Sequence, residues 1–211
     1  MLPIAVAVVG VIALIVLLAV FVARRERERQ ARISHWAVSR GWTVTPRPGT
    51  IEWTSRLPGG NRRGVSLALS GNVYGWPVCV AEYSYTTSSG DGTTTHRYIV
   101  SALRLTVSYP PVEVQPRGGI SRLGQAIFGD NGAATGHEEF DRHFRVCTKD
   151  PATSRALVGP ALITEHLAGR IPAWSLAGQD LLAWQQGKID DPSRIEALAA
   201  GLIHVATLIG R

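Results

Sequence analysis

The sequence predicts an α+β protein: an N-terminal transmembrane helix followed by one soluble domain, an antiparallel β-meander with two or three packed helices. Three observations carry that expectation. Residues 2–23 hold no charged side chain. Residues 65–107 alternate apolar and polar side chains in three runs parted by short reversals. The dipeptide Asp-Pro opens two helical stretches in the last third of the chain. The domain plan is residues 1–23 as the span, 24–42 as a juxtamembrane helix and 43–211 as the α+β domain.

The first element rests on length and hydropathy. The 22 residues of "LPIAVAVVGVIALIVLLAVFVA" would make about 33 Å of helix at roughly 1.5 Å per residue, against a hydrocarbon core of about 30 Å. A cleavable signal peptide would need basic residues before a shorter apolar run and a small-x-small cleavage site. Here "RRERERQAR" comes after the run. Positive side chains beside a span stay cytoplasmic, so the N-terminus is expected outside and the domain inside the plasma membrane. Arg24, Arg25, Arg27, Arg29 and Arg32 are the expected membrane-surface residues, facing anionic head groups. Residues 2–23 are expected to meet the bilayer itself.

The helix is expected to continue beyond the arginines, with Ile33, Trp36, Ala37 and Arg40 at helical spacing and Gly41 as its stop. Residues 43–64 hold prolines and glycines enough for a connection, with one short strand near Ile51–Trp53. Val65, Leu67, Leu69 and Val73 then mark a strand with one buried face. "GWP" reverses it into "VCVAEYSYT", and "THRYIVSALRLTV" is the third strand of the meander. "YPPVEVQPRGGISRLGQAIFGDNGAATGHEEF" is expected to be mostly loop, with a short helix over "ISRLGQAIF", and "FDRHFRVCT" returns to a strand. Asp150 caps a helix with Pro151 in its first turn, interrupted at Gly159 and Pro160. "PAWSLAGQDLLAWQQGKI" is expected to form two strands about the turn "AGQD". Asp191 then caps a last helix whose Ile195, Leu198, Leu202, Val205 and Ile209 form one apolar stripe.

Composition narrows the function. Of the formal charge of +6, half lies in residues 24–32, where five arginines face two glutamates. The rest of the chain shows no basic face with interleaved aromatics, so no nucleic-acid partner is expected. Two cysteines, Cys79 and Cys147, are too few for a disulfide framework and are expected as thiols in a reducing cytoplasm.

Candidate chemistry is sparse. "YSYTTSSGDGTTTHRYIV", residues 83–100, carries eleven hydroxyls, but a Ser89–Asp91–His96 triad would have to converge from one short tip. "SSGDG" has instead the residues of a tight reversal. In "HEEFDRH" the histidines 137 and 143 lie six apart, not at the i, i+4 spacing that places two imidazoles on one helical face. "GGNRRG" lacks the lysine and hydroxyl of a phosphate loop. No catalytic, cofactor-binding or metal-binding residue is assigned, and no cofactor is expected.

An N-terminal span, a glycine-separated strand pair "GNVYGWPVCVAEYSYTTSSGDGTTTH" and the strand "FDRHFRVCTKDP" together resemble a set of actinobacterial single-pass membrane-anchored proteins of unknown function. The likeness is best over residues 60–150. It implies an α+β domain behind one span and brings no activity or site with it. The expected function is a membrane-tethered, non-enzymatic interaction or assembly module with a protein partner of unknown identity. The alternatives are a membrane-anchored enzyme, such as a hydrolase, or a lipid- or small-ligand-binding domain.

Overall fold

The computed structural model describes residues 2–49, 51–57, 64–89, 92–117 and 132–210, with side chains of the first helix described at Gly10 and from Ile12 onward. That helix, α1 (Leu2–Ser39), runs unbroken from the apolar end through the charged turns. It stops where expected. Gly41 takes φ +71°, and Trp42 N–H bonds back to Ala37 O at 2.8 Å, so the last carbonyls are satisfied by a left-handed glycine cap.

Among the described residues, seven antiparallel strands form one sheet: β1 (Thr43–Pro46), β2 (Val65–Val73), β3 (Trp76–Ser89), β4 (Gly92–Pro116), β5 (Gly132–Ala133), β6 (Phe144–Thr148) and β7 (Trp174–Gln186). Their order is β1-β2-β3-β4-β6-β5, with β7 paired along β4. The first half of β4 lies between β3 and β7, its last residues between β6 and β7. Among the described residues the further α-helices are α2 (Glu138–His143), α3 (Pro151–Leu157), α4 (Pro160–Leu167) and α5 (Arg194–Ile209). The mixed α+β class and the β2–β3–β4 meander are as expected.

The principal core lies between one face of the sheet and the helices. Leu69, Val80, Leu103 and Leu181 meet Ile33 and Ala37 of α1 and Ile195, Leu202 and Val205 of α5. The opposite face carries a smaller cluster, in which Trp53 and Leu57 cover Ala81, Tyr83, Val100 and Leu182.

The transmembrane expectation is corrected. Among the described residues no helix is long and apolar enough to cross a membrane, so the single-pass assignment falls with it. Charged side chains follow from Arg24 on, with seven between Arg24 and Arg32, so the rest of α1 is too polar for hydrocarbon.

Other elements differ for local reasons. Residues Glu52–Arg56 form a 3₁₀ helix instead of a strand, closed by Thr54, whose N–H and hydroxyl both donate to Ile51 O. "YPPVEVQP" continues β4. Pro110 and Pro111 fall between the paired residues Tyr109 and Val112, where the register shifts and no ladder N–H is needed. "AGQD" is an irregularity within the single strand β7, with Gly178 at φ +60°. The strand expected from Phe140 starts at Phe144, because His137 accepts from Phe140 N–H and caps the short helix α2. Asp150 caps α3 as expected, whereas Asp191 closes a turn onto Ser193 ahead of α5. The helix expected over residues 120–128 lies outside the described residues.

Candidate lipid-facing site

Nine large apolar side chains between Ile12 and Val22 are 53–67% exposed. At 3.6 residues per turn a run this dense covers every side of a helix. A helix that is apolar all round is stable in a protein core or in hydrocarbon. No described part of the chain covers this one.

The expected membrane-surface arginines separate at this point. Arg24 is exposed and pairs with Glu28 at 3.2 Å, Arg25 sets its guanidinium 4.8 Å over the Phe21 ring, and Arg27 and Arg32 face outward. Arg29 turns inward. It shares a helical face with the buried Ile33 and Ala37, at i+4 and i+8, and meets Glu82 on β3.

That pair is the best-organised polar feature of the molecule. Arg29 Nη1 and Nη2 donate to Glu82 Oε1 and Oε2 at 2.6 and 3.0 Å, and both side chains are buried. Nη1 also donates to Ile189 O at 2.8 Å, while Ile189 N–H donates to Glu82 Oε1 at 2.8 Å. Nε and Nη2 reach back to Glu26, which also receives Lys188 Nζ at 3.4 Å. Hydrogen bonding from Arg29 holds the Glu26 carboxyl at about 2, against the opposing effect of burial. Burial works against the charge on Arg29, yet its bonds to Glu26 and Glu82 raise its pKa. The cluster joins α1, β3 and the loop after β7, so the apolar end leaves the domain along a defined direction.

Two cavities flank this junction. One, of about 560 Å³, lies along α1 between Phe21, Val22, Arg25, Arg32 and Asp190. The other, of about 180 Å³, is lined by Glu26, Gln30, Ser84, Arg97, Tyr98 and Lys188. A third, of about 390 Å³, opens on the far face of the sheet between Trp53, Ser70, Cys79, Ala102 and Arg104.

The remaining candidates have structural partners. His96 stacks on Tyr85, centroids 4.8 Å apart, and its Nε2 lies 3.0 Å from Thr87 Oγ1. Asp91, the second member of the considered triad, lies outside the described residues. His137 caps α2 and His143 Nδ1 lies 2.9 Å from Glu139 O. Among the described residues no group of three His, Cys, Asp or Glu could hold a metal ion. Cys79 and Cys147 are free thiols on separate strands, and burial pushes the Cys79 pKa up.

Sequence reasoning missed Glu82. The signal was present: Val78, Val80 and Glu82 share one face of β3 by alternation, so a carboxylate sits on the core face and requires a buried partner.

A seven-stranded antiparallel sheet packed with helices behind a long N-terminal helix is therefore the class of protein in hand. The sequence matches no family model, and no curated protein matches it. Among solved structures the fold is similar to the crystal structure of the mycobacterial trehalose monomycolate transport factor A, TtfA. The TM-score is 0.55 and the identity 13%, over 86% of this chain and 93% of that one. At this identity the likeness establishes the fold alone.

Proposed function

We propose that this chain is a non-enzymatic, lipid-associated factor that holds its α+β domain against a membrane surface, the plasma membrane, and takes part in lipid transport there. The observation that carries the reading is the uncovered apolar end of α1, Ile12–Val22, joined to the domain through Arg29 and Glu82. Burying the exposed part of nine such side chains, each 53–67% exposed, is favourable by roughly 1–2 kcal/mol each before the costs of association. The exposed Arg24, Arg25, Arg27 and Arg32 stand where head groups would begin. The fold similar to that of a mycobacterial trehalose monomycolate transport factor supports the lipid reading over the enzyme reading.

The test is flotation of the full chain with phosphatidylcholine–phosphatidylglycerol vesicles. The chain is expected to float with the vesicles, and a variant with Leu14, Leu17, Leu18 and Phe21 all changed to Ser is expected to stay behind. A wild-type chain that does not float overturns the reading. A variant that floats like wild type removes α1 as its carrier.

A further inference from the structure

Three levels define how α1 crosses the sheet. The Trp42 ring lies against Gly71, which pairs with Val78 of β3. Arg29 meets Glu82 farther along β3. Glu26 and Gln30 share a cavity with Ser84, Arg97 and Lys188. Moving from the C-terminal to the N-terminal end of α1 is thus moving from Val78 to Ser84 along β3. The apolar end of α1 and the tip of the β3–β4 hairpin leave the domain at the same end.

The hairpin reaches far enough to matter. The pairing of β2 with β3 ends at Val65↔Tyr83, and that of β7 with β4 at Tyr98↔Gln186. Beyond these pairs, among the described residues, Tyr85–Ser89 and Gly92–His96 pair only with each other as strands. Five rungs project about 17 Å at ~3.3 Å per residue. From Glu26 the same distance along α1, at ~1.5 Å per residue, reaches Ile15, inside the apolar end. An isolated two-stranded ribbon is marginal in water and gains from a second surface. Its side chains suit one kind of surface. Thr86, Ser88, Thr93, Thr94 and Thr95 are exposed, and between Glu82 and Arg97 the sequence has one charged residue, Asp91. Neutral hydroxyls enter a head-group layer without the cost of desolvating a charge, and each can donate to a phosphate or ester oxygen. Tyr85 and Tyr98, stacked 6.0 Å apart at the base of the ribbon, belong to the smaller core cluster and anchor the ribbon to the domain.

We infer that the β3–β4 ribbon is a second lipid-contacting element, lying in the head-group layer beside the apolar end of α1. The inference rests on the lipid-surface reading above.

The test uses the full chain with Cys79 and Cys147 changed to Ser and one new cysteine carrying an environment-sensitive fluorophore. The label is placed at Thr93→Cys in the ribbon or at Tyr74→Cys, which is 83% exposed in the turn at the opposite end of the sheet. On phosphatidylcholine–phosphatidylglycerol vesicles the Thr93 label is expected to shift blue and lose iodide quenching severalfold, while the Tyr74 label does neither. Amide hydrogen exchange on the unsubstituted chain supplies the same comparison without any replacement. Exchange in residues 84–97 is expected to slow severalfold on vesicles, and exchange in residues 73–76 to stay as it was. A chain that floats while both labels remain equally quenched overturns the ribbon contact and leaves the lipid reading standing. A chain that does not float overturns both.

Discussion

Arg29 on α1 and Glu82 on β3 face each other through two hydrogen bonds, at 2.6 and 3.0 Å, across 53 positions of sequence. The guanidinium offers one donor to each carboxylate oxygen, the two-pronged geometry that favours this pair over a lysine–carboxylate contact. Ile189 completes the arrangement by donating to one partner and accepting from the other. A helix with an exposed apolar end would swing freely on a loose junction. This one cannot, because its inward arginine is held on three sides.

Removing Glu82 therefore tests the junction. Glu82→Ala leaves a buried guanidinium with Glu26 alone as its anionic partner, and leaves the Ile189 N–H without its acceptor. Breaking one side of a buried pair costs about 3–5 kcal/mol, and the remaining Glu26 contact favours the low end. Chemical denaturation should show that loss at low and high salt alike, since buried pairs are little screened. A loss below about 1 kcal/mol would show that apolar packing at Ile33 and Ala37 holds α1 without the pair.

The second prediction concerns acid. Trp174 Nε1–H donates to His166 Nε2 at 3.0 Å, in an apolar site bounded by Phe140 and Phe144. Burial lowers the His166 pKa to about 4, and protonating Nε2 would set two donors against each other. The folded state thus binds fewer protons than the unfolded state between about 4 and 6.5. Stability from this group is present above about 6.5 and is lost as pH falls toward 4, by about 3 kcal/mol at 1.36 kcal/mol per unit. Glu26, held at about 2, acts in a lower window, below about 4.5. Denaturation between pH 7.5 and 4.5 should show the loss in the native chain and much less of it in His166→Gln, whose amide oxygen can still accept from Trp174. Equal slopes in the two proteins would remove His166 as the cause.

The third prediction concerns the place where α1 turns into the sheet. A Cβ on Gly71 would overlap the Trp42 indole, and a rigid fused ring packed in the core has no flexible end to move aside. Gly71→Ala should lower stability by about 1–3 kcal/mol through overpacking. The same change made together with Trp42→Leu should cost less than the sum of the two single changes, because the contact they share is counted once. Additive losses in thermal denaturation would place the strain elsewhere.

What the sequence determined by itself is the structure set by neighbours a few positions apart. The alternation from Val65 to Val107 specifies β2, β3 and β4, while the Asp150 side chain and Pro151 start α3 and Gly41 ends α1 through contacts spanning at most five residues. The chemistry of Gly178 and Pro110–Pro111 is equally consistent with a turn, a loop or a bulge. The outcome depends on whether a partner strand continues alongside, and β4 and β7 extend past both places because each supplies the other's hydrogen bonds. Hydropathy alone reads residues 2–23 as a span, whereas among the described residues no helix is long and apolar enough to cross a membrane. Helical spacing places Arg29, Ile33 and Ala37 on one stripe. It does not say that a carboxylate waits opposite the first of them. Only the tertiary structure brings Glu82 there, because the partner of a buried charge is chosen by the packing of α1 across β3, and no local rule spans the 53 residues between them.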